Sequence, residues 1–463
     1  MTVISLLILL TAVFASLTSS AGADDVLPVS ATFDKDTQPF AFVIPQLPVV
    51  EGTTGLKASE CGVCHVKIYE DWKGSTHAHA ISDLQFIAEV SKAASPRWLC
   101  LNCHIPIQNQ RRSKVVGLIG GNVLTPRTVP NEEFDEALRL EGISCTTCHV
   151  RVDDETKKSY IIGPNGSEQS PHPVRKNPSH LRTICIRCHD PKGESITPNL
   201  VCWFTSKAEL EEGQAILKER YGSQRDCVDC HMPEEEARVA VAPPDLPVRK
   251  LNRHYWLGGG VPKENELFDT LLERGFRSGL DVAVRPFEWE AGRLRIAVEI
   301  TNSRAGHYVP TGDPERFVLT LVRLTDASGE VIAQDRARVG QVWEWNPARK
   351  ISDNRIKMGE TRNQSFDFSG VDRDRFAKVE VEVLLVKLSS TNVKHMMQTD
   401  ILKDVYPGAP ERIKRLDEIY PTAASIHLET FDALGSRTDI LGREQLIARS
   451  KAFVNIPLDE RDY

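Results

Sequence analysis

An α+β multidomain chain is what this sequence predicts, and three observations carry the prediction. Five copies of Cys-x-x-Cys-His fall between residues 61 and 231, apolar residues alternate with polar ones from Leu280 to Leu388, and the tail from about Thr391 mixes both periodicities. The expected architecture is a mostly helical and looped first region, an immunoglobulin-like β-sandwich, and a tail packed back on both.

The first element is a leader. Val3 to Leu17 form an apolar run, and Ala21-Gly22-Ala23 resembles a small-residue cleavage site, so residues 1–23 read as a secretory signal. No cysteine precedes Cys61, so no lipid anchor is expected. No later run reaches the ~20 apolar residues of a membrane-spanning helix. The product is expected in the periplasm or outside the cell. A formal charge of −7 without basic, aromatic-laced stretches argues against a nucleic-acid partner.

Residues 24–260 hold the repeats: Cys61-Cys64-His65, Cys100-Cys103-His104, Cys145-Cys148-His149, Cys185-Cys188-His189 and Cys227-Cys230-His231. In each, two thiols can add to the vinyl groups of a haem while the adjacent imidazole binds its iron, which implies five covalently bound haem c groups. Structural zinc uses such cysteine pairs two at a time, and five pairs is an odd number. The eleventh cysteine, Cys202, has apolar neighbours and reads as a buried inert thiol. Motif starts lie 39 to 45 residues apart, too little chain for separate apolar cores, so porphyrins are expected to form the core. Helices are expected from a capping box at Ser206 to Glu209 running to Gly222, and over Asn131 to Leu140 ending at Gly142.

Beyond Gly258-Gly259-Gly260 the period becomes two. Leu294, Ile296, Val298 and Ile300 alternate with polar partners, as do Phe317, Leu319 and Leu321, and Val379, Val381, Val383 and Leu385. The sandwich is expected over residues 275–390. The tail, 391–463, carries a predicted helix from Pro410 to Tyr420.

Eight histidines lie outside the motifs, and they decide whether each iron is closed on both faces. His77 follows the first motif across a short helix, His172 stands between two prolines, and His180 precedes the fourth motif. His254 and His307 have glycine neighbours that let backbone approach a flat ring. These five are the candidate distal ligands, with His79, His395 and His427 ranked below them. His307 lies on a loop between sandwich strands, so ligation there would clamp the sandwich to the haem region.

The opening Cys61 to His65, with Tyr69, Trp72 and Ser75-Thr76-His77-Ala78-His79-Ala80, resembles the cytochrome c-554 family, as does Glu141-Gly142-Ile143-Ser144-Cys145. The Gly306-His307 to Pro310-Thr311-Gly312 segment resembles one in the C-terminal β domains of exported multihaem cytochromes. The family implies electron carriers with haems in stacked and perpendicular pairs, mostly bis-His, one of them five-coordinate. By that resemblance His77 is a distal ligand and His172 or His180 another. The eponymous carrier has four haems and no sandwich, so the fifth haem and the C-terminal half inherit no role.

The leading expectation is therefore electron transfer between extracytoplasmic redox protein partners. One alternative is a multihaem oxidoreductase of a small nitrogen compound, although the pentahaem nitrite reductases mark their active haem with Cys-x-x-Cys-Lys and every motif here ends in His. Another is a subunit of an extracellular haem filament or larger redox complex, self-assembled through the sandwich.

Overall fold

The computed structural model describes residues 25–167, 169–191, 205–256, 258–345, 347–401 and 404–452; the leader and Cys202 lie outside them. Each motif lies on or directly beside a short helical turn: Arg97–His104, Cys145–His149 and Cys227–His231 contain theirs, Ala58–Gly62 contains Cys61 and leads into Cys64 and His65, and Ile186–His189 starts just after Cys185. Residues three and four apart share a helix face, so one turn aims both cysteines and the histidine the same way. The His65 amide donates to the Cys61 carbonyl at 2.9 Å, and the His189 amide to that of Cys185 at 3.0 Å.

Small three-stranded sheets and two modest apolar clusters brace these turns. One cluster joins Phe33, Phe40, Trp98, Leu99 and Leu118; the other joins Ile44, Leu47, Val50, Ile107 and Leu138. Neither fills the middle of the region. A cavity of about 2380 Å³ runs through it, well above the ~300–1,000 Å³ of an ordinary ligand pocket.

The alternating segment forms two antiparallel sheets. In the smaller, Arg293–Asn302 pairs with Thr361–Ser369, placing Leu294 opposite Phe368 and Ile296 opposite Phe366. In the larger, six-stranded sheet, Phe317–Thr325 pairs with Lys378–Val386. Inward residues of both sheets, including Ile296, Val298, Val322, Val339 and Val381, form one buried core. The tail is less separate than its sequence suggests: Ala423–Asp432 and Arg437–Ile440 extend the six-stranded sheet.

Two helices differ from expectation at their ends. Only Glu136–Leu140 is helical in the 131–140 stretch, because Asp135 caps it by accepting from the Leu138 amide. The 410–420 helix breaks into Ala409–Ile413 and Leu416–Ile419. The Ser206–Tyr221 helix forms with Thr205, not Ser206, at its N-cap, and it ends at left-handed Gly222.

That helix meets the sandwich at a backbone-to-backbone approach. A Cβ on Gly213 would lie 2.4 Å from the Gly306 carbonyl oxygen, and one on Gly306 would strike Leu210 and Leu217. Glu209, 4% exposed, accepts from Arg355 at 2.6 Å and from Thr311 at 2.7 Å across the same junction. Gly213→Ala is expected to destabilise: overpacking costs ~1–3 kcal/mol, against a helix-propensity gain of ~1 kcal/mol. The displaced partner is backbone, so the loss should dominate and lower the urea midpoint.

A second junction is polar and mostly buried. Asp83, just ahead of the Leu84–Ser91 helix, binds Lys263 and accepts from the Tyr420 hydroxyl at 2.5 Å. Burial alone would raise the Asp83 pKa, but Lys263, Lys387 and Tyr420 outweigh it and hold it at about 2, below the ordinary 3.8. Its contribution, ~2 kcal/mol, is complete above the ordinary value and lost as pH falls through about 2. Acid unfolding of Asp83→Asn followed by circular dichroism should therefore be flatter than wild type between about pH 4 and pH 2.

Candidate metal centres

The five motifs converge on the large cavity, and their cysteines touch across motifs. Cys61 and Cys145, Cys103 and Cys188, and Cys185 and Cys227 lie close enough to perturb one another's ionisation. In a haem-bearing chain these sulfurs are thioethers, so the contacts mark neighbouring macrocycle edges rather than reactive thiols.

Four motif histidines face a second imidazole across the cavity. Ring centres lie 6.4 Å apart for His65 and His172, 6.2 Å for His77 and His189, 6.1 Å for His149 and His254, and 6.2 Å for His231 and His307. The separations are too long for stacking and suit one metal ion between two ring nitrogens. The Nδ1 edges are anchored: His65 on the Val239 carbonyl, His149 on Ile162, His254 on Asn252 and His307 on Tyr308, at 2.7–2.9 Å. An Nδ1–H held by a carbonyl leaves Nε2 as the free ligand atom.

Distinct elements bring each distal ring into place. His172 sits on the loop joining the parallel Ser159–Gly163 and Val174–Lys176 strands, its Nδ1 2.9 Å from the Ser170 hydroxyl. His77 follows the Val66–Lys73 helix, and its carbonyl receives the Ile143 amide at 3.1 Å. His254 is fixed by its neighbour Arg253, which forks onto Asp71 at 2.6 and 2.5 Å. His307 is fixed through its carbonyl, which accepts from Asn302 at 2.8 Å. Burial, reinforced by neighbouring imidazoles, pushes the His77 pKa down to about 3 and those of His231 and His254 to about 4. Each ring is thus held neutral, the form that binds metal.

The second motif differs. His104 donates Nδ1 to the Ala80 carbonyl at 2.7 Å, but its ring stacks on Phe86, with centres 3.5 Å apart. Among the described residues, which include all thirteen histidines, no imidazole stands opposite it. His180 lies beside the third motif, near Cys148 and His149, but its ring faces no motif imidazole and its Nε2 accepts from Arg151 at 3.0 Å. His79 lines a separate surface cleft, His427 lies 3.7 Å from Glu429 on a sheet strand, and His395 is exposed at the cavity edge. Among the described residues no three side chains converge as a metal cage of their own, which leaves no zinc-type cluster there.

The family model of cytochrome c554 and c-prime matches residues 60–119, covering the first two motifs. The fold is similar to that of a penta-haem cytochrome c552 from Thermochromatium tepidum, with a TM-score of 0.51 over 81% of this chain and 98% of that one, at 19% identity. The chain therefore shares its fold with a penta-haem cytochrome and, over its first two motifs, matches the cytochrome c554 family model. The chain has no match among curated proteins. A β-glucosidase from Kluyveromyces marxianus aligns over 26% of this chain and 14% of its own, at 14% identity and a TM-score of 0.13.

Sequence reasoning missed the environment of the second motif in this chain. Phe86 is one apolar residue among several in its helix, and nothing local distinguishes it. Asp83, Lys263, Lys387 and Tyr420 come from four distant segments, so no spacing pattern could have grouped them.

Proposed function

We propose that this chain carries five covalent haem c groups, four of them held between two histidines, and passes single electrons between extracytoplasmic redox proteins. The observation that carries the reading is the set of four imidazole pairs at 6.1–6.4 Å. A metal–imidazole bond is ~2 Å, so two in line put the facing nitrogens ~4 Å apart, with half a ring beyond each. The axial pairs are then His65 with His172, His189 with His77, His149 with His254, and His231 with His307.

Bound haem iron supplies a one-electron couple tuned by its axial ligands and burial. The polypeptide's part is to aim each Nε2 inward and close both axial positions, so that electrons move and no substrate binds. Contacts between cysteines of different motifs support closely packed haem edges, the arrangement that one-electron relay requires. The haems then replace the missing apolar core. Export is supported by the 1–23 pattern and by the covalent haem chemistry, and no described helix is long and apolar enough to cross a membrane. The shared core of the two sheets supports the immunoglobulin-like reading of that unit.

A second reading is favoured by one observation, the His104–Phe86 stack with no imidazole opposite. On it, the second haem has an open face and could take nitrite or nitric oxide. Both readings are tested on the oxidised holoprotein by a pyridine haemochrome count and low-temperature electron paramagnetic resonance, with and without nitrite or nitric oxide. Five haems and dominant low-spin ferric signals are expected, and predominant high-spin signal would sink the bis-His assignment. A minor high-spin signal that shifts with added ligand selects the open second haem.

A further inference from the structure

The cavity wall beside the second motif holds a buried lysine that no carboxylate of the protein pairs. Lys387, at the end of the Lys378–Val386 strand, is 4% exposed yet lines the cavity. Its ammonium donates to the Pro262 carbonyl at 2.6 Å and lies 3.7 Å above the Tyr420 ring, and no carboxylate is bonded to it. Asp83, the nearest acid, is spent: one oxygen takes Lys263 and the other takes the Tyr420 hydroxyl. Arg316 also lines the cavity, has a buried Nε without a partner, and has no acceptor for its guanidinium among the described residues. Asp313 is turned to Gln85 at 2.8 Å and to the Glu315 amide.

Lys263, Lys387 and Arg316 thus share this wall with the saturated Asp83 and with Asp313 and Glu315, which also line the cavity, and none of the three carboxylates is bonded to Lys387. A buried ammonium without a counter-charge is heavily penalised, and a site built this way calls for an anion. Burial, Lys263 and Arg316 together push the Lys387 pKa well below its ordinary value, the response of an ammonium short of negative charge. The place is fixed by His104, which feels both Asp83 and Lys263 electrostatically and bonds the carbonyl of Ala80, three residues before Asp83.

A haem attached through its vinyl edge carries two carboxylates on the opposite edge. We propose that Lys387, assisted by Lys263 and Arg316, holds the propionate carboxylates of the haem on the second motif. This rests on the reading that Cys100, Cys103 and His104 carry a haem, and it goes beyond that reading by assigning residues of the β unit to the haem's polar edge. One consequence is architectural. Lys387 directly follows a strand of the six-stranded sheet, Lys263 lies in the linker and Asp83 in the motif region, so the propionates would fasten the sandwich to the haem region from inside.

The test is a potentiometric titration of holoprotein Lys387→Met and Lys387→Arg against wild type, in plain buffer and with added sulfate. Removing a positive charge beside a propionate favours the ferric state, so one reduction wave should move to lower potential. A tenfold change in that one-electron equilibrium, ~59 mV, is the expected scale. Lys387→Arg should restore the wave, and the other waves should stay in place. Unchanged waves in Lys387→Met overturn the proposal. So does a variant that matches wild type in plain buffer and differs only by losing a sulfate-dependent shift, because the cations would then serve a soluble oxyanion. Should Lys387→Met fail to fold, Arg316→Gln at the cavity surface must show the same downward shift. A haemochrome count of four instead of five would show that the second motif carries no haem, a failure of the underlying reading and separable from the others.

Discussion

Replacing His307 with alanine is expected to convert one haem from low-spin to high-spin and open it to cyanide or nitric oxide, leaving the rest unchanged. His307 and His231 are nearly parallel, 8° apart with centres 6.2 Å from each other, and the Tyr308 carbonyl holds the His307 Nδ1. The nearest other imidazoles, His189 and His77, already pair with each other, so neither is free to take the vacated position. Substituting methionine tests the same bond differently: a thioether ligand favours ferrous iron, so one wave should rise in potential. If neither variant alters the resonance spectrum or any of the redox waves, the ligand role of His307 is lost, and with it the idea that an iron bond ties the sandwich to the haem region.

The second large effect is expected at the junction that aims His307. Arg355 is 7% and Glu209 4% exposed at their side chains, and they pair at 2.6 Å between the sandwich and the helix leading into the fifth motif. Removing one member of a buried pair costs ~3–5 kcal/mol because the other charge is stranded. In Glu209→Gln the guanidinium keeps Asp353, at 2.9 Å, so the loss should fall near ~3 kcal/mol. In Arg355→Met the carboxylate keeps only Thr205 and Thr311 hydroxyls, and the loss should be larger, ~4–5 kcal/mol. Urea unfolding followed by circular dichroism measures both. A loss below ~1 kcal/mol in each would mean that the pair behaves as a surface bridge. Because the same helix carries Gly213 against Gly306, both variants should also raise the high-spin fraction of the fifth haem.

What the sequence by itself determined is the chemistry that is local. Cysteine, cysteine and histidine lie within one helical turn, so their spacing alone specifies haem attachment, and strict alternation at Leu294 to Ile300 specifies a strand with one buried face. The four histidines proposed as distal ligands also stood out, since proline or glycine neighbours or a short preceding helix marked His77, His172, His254 and His307. Tertiary structure decided the rest. His77 follows the first motif but faces His189 of the fourth, and His172 faces His65, because pairing depends on how segments a hundred residues apart are laid together. His180 has the context of a ligand, yet Arg151, 29 residues earlier, takes its Nε2. The Ala423–Asp432 strand gave no clean alternation because both its faces are covered. Phe431 enters the sandwich core, while Ala424 packs on Phe268 and on Ile447 of the last helix. The second motif has the same local pattern as the others, and only the fold reveals Phe86 against its histidine and a buried lysine beside it. Covalent attachment needs one turn of chain; an iron's second ligand, and the charge around it, need the whole molecule.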